Sequence, residues 1–231
     1  MSVDSGLPSD TFNIVVLHHD QAQPSDAATI QEAVAYFTQK HHPMALWLWA
    51  DDQGDSAKML LDIGLEKAET NIAMYGELAA LQPSANKPAE FTIQEVSSPS
   101  ELELFGDVLA SLFGESEEAV HVRSYYKQVS ASILQPSVMR WYIGVFQDEV
   151  VSTGAMVLTK ESIGIYDIAT REEHRGRGFG SAMFNFLIRE AQQQHRGLCV
   201  LQASPDGINI YAKAGFQPVG EVTVYENRHF I

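Results

Sequence analysis

Residues 162–194 hold the pattern that most restricts what this chain can fold into. A β-like segment from Ser162 to Ala169 leads into a turn carrying Gly176, Gly178 and Gly180. Beyond it, Phe179, Ala182, Met183, Phe186, Leu187 and Ala191 follow the i, i+3, i+4, i+7 spacing of one amphipathic helix face. A strand, a glycine-rich turn and a helix start aim several unpaired backbone N–H groups at one spot. The positive end of the helix dipole lies behind them, and the result is an anion site suited to a pyrophosphate.

The glycine spacing narrows the choice of anion. It is Gly-x-Gly-x-Gly, not the Gly-x-Gly-x-x-Gly of a dinucleotide fold, and no Gly-Lys-Ser/Thr follows that would make a P-loop. Arg175-x-x-Gly178-x-Gly180 resembles the Arg/Gln-x-x-Gly-x-Gly/Ala signature of the GNAT superfamily of acetyl-CoA-dependent N-acyltransferases. In that family the turn wraps the coenzyme A pyrophosphate.

Charge distribution agrees with a phosphate-bearing ligand. The chain of 231 residues has 15 basic and 30 acidic side chains, a formal charge of −15 that argues against a nucleic-acid surface and favours a soluble cytoplasmic protein. No arginine precedes Arg123, yet Arg171, Arg175 and Arg177 crowd the glycine turn. The single cysteine, Cys199, excludes an intramolecular disulfide, and its apolar run Leu198–Leu201 marks it as a buried small hydrophobe. The first residues lack a signal-peptide pattern, and no apolar run is long enough to span a bilayer.

Taken in order, the chain opens with a strand candidate at 12–18. A helix capped by Ser25 or Asp26 follows, running to about Gln39, then a strand at 44–49 and a helix from Ser56 ended by Gly64. An extended segment at 65–69 and a mixed element at 70–81 come next. Gln82 to Glu90, with Pro83 and Pro88, reads as a linker. This places a smaller α/β N-terminal domain with its linker at 1–86 and a second domain at 87–231. The second domain reads as a strand at 91–96, helices at 98–112 and 117–134, and strands at 139–146, 150–158 and 162–169. The glycine-turn helix follows, then a strand at 198–203, a helix starting at Ser204-Pro205 and ending at Gly215, and final strands at 217–225.

That order is also the order of the GNAT fold. Ile210-Tyr-Ala-Lys-Ala-Gly-Phe216 is similar to the family's second signature, Tyr-x-x-x-Gly-Phe, so the resemblance covers roughly 91–231. It implies an α/β fold of the acyl-CoA N-acyltransferase type, a mixed, mostly antiparallel central sheet flanked by helices. Met59–Leu65 echoes Tyr211–Phe216, a short helix ended by glycine and an apolar residue, so 1–86 is read as either a degenerate partial copy without a cofactor turn or an unrelated packing extension.

The same resemblance assigns the site. Acetyl-CoA is the cofactor, held by Ile168, Ala169 and Thr170 at the strand end, by Arg175, Gly176, Arg177, Gly178, Phe179, Gly180 and Ser181 in the turn, and by Asn209. Tyr211 is the candidate acid: a phenol with a pKa near ~10 can protonate a departing thiolate. Asp167, on the strand beside the thioester, is the candidate base, and alternation puts it on the face opposite Ile168. Glu115, Glu117, His121 and Tyr125 are further polar residues in the helical region that shapes the acceptor pocket. His174 is read as a loop residue. The pairs His18-His19 and His41-His42 lack further metal-ligand spacing, so no metal is expected. The expected reaction is direct acetyl transfer to a primary amine, of a small molecule before a peptide. A non-catalytic acyl-CoA sensor is the alternative, a homodimer is left open, and neither nucleic acid nor membrane is expected as a partner.

Overall fold

Helix starts follow their caps. The Ser98 hydroxyl accepts the Glu101 N–H to open α3 (Pro99–Ala110), and the Ser116 hydroxyl accepts the Ala119 N–H to open α4 (Glu117–Ser130). The computed structural model describes residues 1–17, 26–49, 54–133, 138–194, 197–204 and 207–230. The expectations for His18, His19, Ser25, Leu134 and Pro205 lie outside the described residues.

The remaining elements are β1 (Ser2–Val3), β2 (Ile14–Val16), α1 (Ala27–Gln39), β3 (Ala45–Leu48), α2 (Asp55–Ile63), β4 (Glu66–Glu77), β5 (Phe91–Glu95), β6 (Met139–Phe146), β7 (Glu149–Leu158), β8 (Ser162–Thr170), α5 (Phe179–Gln194), β9 (Leu198–Ala203), α6 (Ile208–Lys213) and β10 (Gln217–Glu226). Two compact units result, 1–73 with 219–231, and 74–218. The first holds strands in the order β1-β2-β3-β10-β4, with β2 and β3 parallel and β10 antiparallel to β3. Its core joins Ile30, Val34 and Phe37 of α1, Leu46 and Leu48 of β3, Leu60 of α2 and Tyr225 of β10.

The second unit holds the order β4-β9-β8-β7-β6-β5. The β5 to β8 neighbours are antiparallel, and β8 pairs in parallel with β9. Helices α3 and α5 both pack on β7 and β8. A mixed, mostly antiparallel sheet flanked by helices, with a smaller α/β unit, is the architecture expected.

Three differences from the sequence reading have physical causes. Residues 66–77 form one strand, although their N-terminal half is exposed and carries no apolar alternation to reveal it. Helix α6 begins at Ile208, after Gly207, and not at Ser204. The division between units does not fall in the 82–90 segment, which belongs to the second unit: the Asn185 Oδ1 atom accepts the Ser84 N–H at 2.7 Å, and Arg189 donates to the Ser84 carbonyl at 2.7 Å. The body of β10 instead joins the first unit by pairing Thr223–Glu226 with Ala45–Leu48.

The echo between 59–65 and 211–216 extends to whole elements. Helix α2 ends on Gly64 (φ +98°), and α6, capped by Ala214, is followed by Gly215 (φ +104°); only glycine sits at either angle without strain, and buried Leu65 and Phe216 follow. The runs β2-α1-β3-α2-β4 and β8-α5-β9-α6-β10 share one order and one parallel first pair.

Candidate active site

The site grows from an irregularity in β8. Thr153 pairs with Ala169 and Ala155 pairs with Tyr166, so Gly154 alone faces both Asp167 and Ile168. This β-bulge is bent by Asp167, whose φ of +55° lies in the left-handed region that side chains seldom adopt. Two wholly buried hydroxyls from β7 tie down carbonyls along the bulge: Thr153 Oγ1 donates to Asp167 O at 2.9 Å and Ser152 Oγ to Ala169 O at 2.9 Å.

The bulge lies where β8 leaves its parallel neighbour. Pairing with β9 runs through Ser162–Leu198, Ile163–Cys199 and Gly164–Val200. Among the described residues it goes no further, so β8 from Tyr166 to Thr170 has one edge free of ladder bonds on that side.

The glycine turn follows at once. Residues 172–174 make a single 3-10 turn, and Gly176 (φ +73°) and Gly178 (φ +85°) carry the chain into α5. Among the described residues no acceptor meets the backbone N–H groups of residues 176–181, while the Ala182 N–H closes onto the Gly178 carbonyl at 2.9 Å. Phe179 anchors the helix start, buried against Phe91 at 4.8 Å and Phe146 at 5.1 Å between ring centroids. A side chain at Gly154 would strike Leu187 and Met183, so β7 and α5 approach as closely as glycine permits.

Turn, strand end and α6 enclose a cavity of about 480 Å³. Of the residues expected to hold a cofactor, Ile168, Thr170, Arg175, Gly176, Gly178, Phe179, Gly180 and Ser181 line it, as does Tyr211, the candidate acid. Ala169 is buried in the sheet. Asn209 is exposed and outside the lining. Arg177 is also outside it, stacked on the Phe146 and Phe179 rings at 4.6 and 5.1 Å.

Sequence reasoning missed His174, Phe184 and Ile210 as lining residues. His174 is no free loop residue. Its Nε2 lies 3.3 Å from Glu149 and its Nδ1 lies 3.2 Å from Arg177. Glu149, Glu173 and His174 bring possible ligand atoms within 4.8 Å of one another, but Arg171 and Arg177 engage Glu149 and His174, and the group reads as a polar network behind the turn.

The two candidate catalytic groups differ in setting. Burial pushes the Tyr211 phenol up, so it stays protonated; its ring packs edge-on against Phe184 at 4.9 Å. Asp167 turns from the cavity toward α4, where Tyr126 donates to its Oδ2 at 3.2 Å. Burial raises the Asp167 carboxyl above the ordinary range, and the Tyr126 hydrogen bond opposes that rise. Tyr125 and Tyr166 also feel the Asp167 charge. Cys199 is buried, and loss of hydration pushes its thiol up to about 12.

Comparison with known proteins agrees with this geometry. A family model described as the acetyltransferase (GNAT) domain matches residues 139–218. The uncharacterized N-acetyltransferase YobR of Bacillus subtilis is 23% identical over 165 residues, which are 70% of this chain and 64% of YobR. The match therefore spans just under two thirds of that relative. Among solved structures, a conserved protein of unknown function from Staphylococcus epidermidis superposes with a TM-score of 0.71 at 15% identity, covering 95% of this chain and 86% of that one. A GCN5-related N-acetyltransferase from Kribbella flavida gives 0.66 at 18% identity, covering 93% and 80%. A tandem GNAT protein from the clavulanic acid biosynthesis pathway gives 0.61 at 14% identity, covering 91% and 72%. These structural likenesses are of fold.

Proposed function

We propose, from the match of residues 139–218 to the acetyltransferase (GNAT) domain model, that this chain is an N-acetyltransferase that moves the acetyl group of acetyl-CoA directly onto a primary amine of a small molecule. The observation that carries this reading is the free edge of β8 at the bulge, opening beside a turn of unpaired N–H groups.

The residues present fit the cofactor. Gly176, Gly178 and Gly180 leave room for a pyrophosphate to reach backbone donors, and the strand edge at 166–170 suits an extended amide-bearing arm. Acetyl-CoA, when bound, supplies the thioester. Backbone N–H groups at the bulge orient its carbonyl and favour charge on that oxygen. Asp167 would take the proton of an acceptor ammonium approaching from the α4 side, freeing the amine to displace the thiol of the bound thioester, and Tyr211 would supply a proton to the sulfur that leaves.

The test is calorimetric titration of acetyl-CoA into the wild type and Gly180→Glu. Gly180 lies outside the left-handed region and glutamate suits a first helical turn; because its Cβ would sit 3.1 Å from Thr170 Oγ1, the melting temperature of the variant is measured first to show that it folds with a carboxylate in the cavity. Micromolar binding lost in the variant supports the cofactor site, and an amine and peptide panel then separates small-molecule from peptide acceptors. Binding without turnover of any amine would favour a sensor, and no binding by folded wild type would sink both readings.

A further inference from the structure

Asp167 is held from three sides, and one of its supports comes from outside the sheet. Its backbone is fixed by the bulge and by Thr153; its carboxylate meets the hydroxyl of Tyr126 on α4. Tyr126 has little freedom of its own. It is buried, and its Cβ lies 2.5 Å from where a side chain at Gly106 of α3 would begin, so only glycine admits it there. Phe105 packs on its ring at 5.2 Å and Tyr125 at 5.3 Å, and the Arg123–Asp107 pair at 3.1 Å joins the same two helices. Among the described residues no donor meets the other carboxylate oxygen, Oδ1.

We propose that Tyr126 is the positioning residue of this site: it takes one carboxylate oxygen of Asp167 and leaves the other turned to the acceptor ammonium. The assignment rests on Asp167 as the base. A carboxylate on a rotatable side chain would sample several orientations; anchoring Oδ2 fixes which lone pairs face the incoming amine. The bond also favours the ionised carboxylate against the burial that disfavours it. The titratable groups around Asp167 are Tyr125 and Tyr126 on α4 and Tyr166 on its own strand, all neutral phenols at physiological pH, so the hydroxyl of Tyr126 is the group that acts on it.

The test is carbon-detected NMR titration of the Asp167 carboxyl in the full chain, wild type against Tyr126→Phe, a change that keeps the ring and removes only the hydroxyl. The midpoint moves to higher pH in the variant. The acid limb of the pH–rate profile moves with it, and turnover at a fixed pH on that limb falls roughly ten- to a hundredfold, the worth of one hydrogen bond to an ionised carboxylate. Acetyl-CoA affinity does not change. In an Asp167→Asn background the added Tyr126→Phe leaves the residual rate untouched. An unmoved midpoint, or additive losses in the double variant, overturns the positioning role while Asp167→Asn remains inactive. Wild-type turnover by Asp167→Asn overturns the base itself, and the role of Tyr126 with it.

Discussion

Replacing Asp167 by asparagine, glycine and alanine separates the contributions that meet at the bulge. Asparagine tolerates the left-handed conformation at φ +55° and keeps an acceptor for the Tyr126 hydroxyl, so it removes only the charge. Glycine relaxes the backbone but orphans a buried phenol, which costs about 1–3 kcal/mol, offset in part by the strain it releases. Alanine orphans the same hydroxyl and holds a side chain in the left-handed region, a further cost of about 1 kcal/mol. The expected order of stability is asparagine, then glycine, then alanine, with roughly 2–4 kcal/mol from first to last. At about 2–4 °C per kcal/mol for chains of this size, that is a spread of roughly 4–16 °C in melting temperature.

The wild type adds a pH signature. Because burial raises the folded-state pKa of Asp167, its share of stability is full below the unfolded carboxylate range. That share is lost as pH rises through the folded value. The melting temperature of Asp167→Asn minus that of wild type therefore grows from acid to neutral pH. Differential scanning calorimetry across this range, with acetyl transfer measured on the same samples, reads both effects. Alanine as stable as glycine would refute the left-handed bulge; glycine as stable as asparagine would refute the Tyr126 bond. All three variants lose the acid limb of the rate profile if Asp167 is the base.

Gly106→Ala places a Cβ 2.5 Å from that of Tyr126, between two helices that cannot both yield, and destabilises the second unit by about 1–3 kcal/mol in urea unfolding. Tyr211→Phe keeps the packing against Phe184 and leaves acetyl-CoA affinity unchanged in calorimetry, while kcat falls roughly a hundred- to ten-thousandfold, the range of general-acid contributions. Cys199, wholly buried and with its thiol pushed up to about 12, is silent to a thiol reagent in the native protein at pH 8 and reacts at the rate of global unfolding.

Much of the turn that lines the cavity was legible because its signals are local. Gly176, Gly178 and Gly180 announce a turn whose backbone must be free, and Gly64 and Gly215 announce helix ends whichever unit they serve. The bulge in β8 and the bond from Tyr126 to Asp167 were not, because they depend on pairing across distance. Alternation along 162–169 places Asp167 opposite Ile168 but cannot reveal an extra residue in β8, which shows only against the register of β7. A hint was present: Ser152 and Thr153 interrupt the apolar run of β7 beside Gly154, and two buried hydroxyls in a strand need irregular carbonyls to serve. Tyr126 carried no such hint, since an aromatic on a helix face reads as core, which it also is.

The last strand tests how far the two units depend on each other's segments of chain. The expected boundary would allow 87–231 to be produced alone as the catalytic domain. Yet the body of β10, residues 219–226, belongs with 1–73, where it pairs with β3 and contributes Tyr225 to the core. Removing 1–86 would strip the partners of Val222, Val224 and Tyr225, all nearly inaccessible in the full chain. At about 1.5–3 kcal/mol for each buried large apolar side chain, the loss is roughly 5–9 kcal/mol, comparable with the whole stability of an ordinary domain. It would also remove the end of β4, residues 74–77, from the second unit itself. The fragment 87–231 is therefore expected to be aggregated or molten, with weak near-ultraviolet circular dichroism and no cooperative melting, even though it contains every residue of the proposed site. A soluble, cooperatively melting fragment that binds acetyl-CoA as tightly as the full chain would show that β10 and β4 are dispensable to it, and the reasoning from their placement would fall.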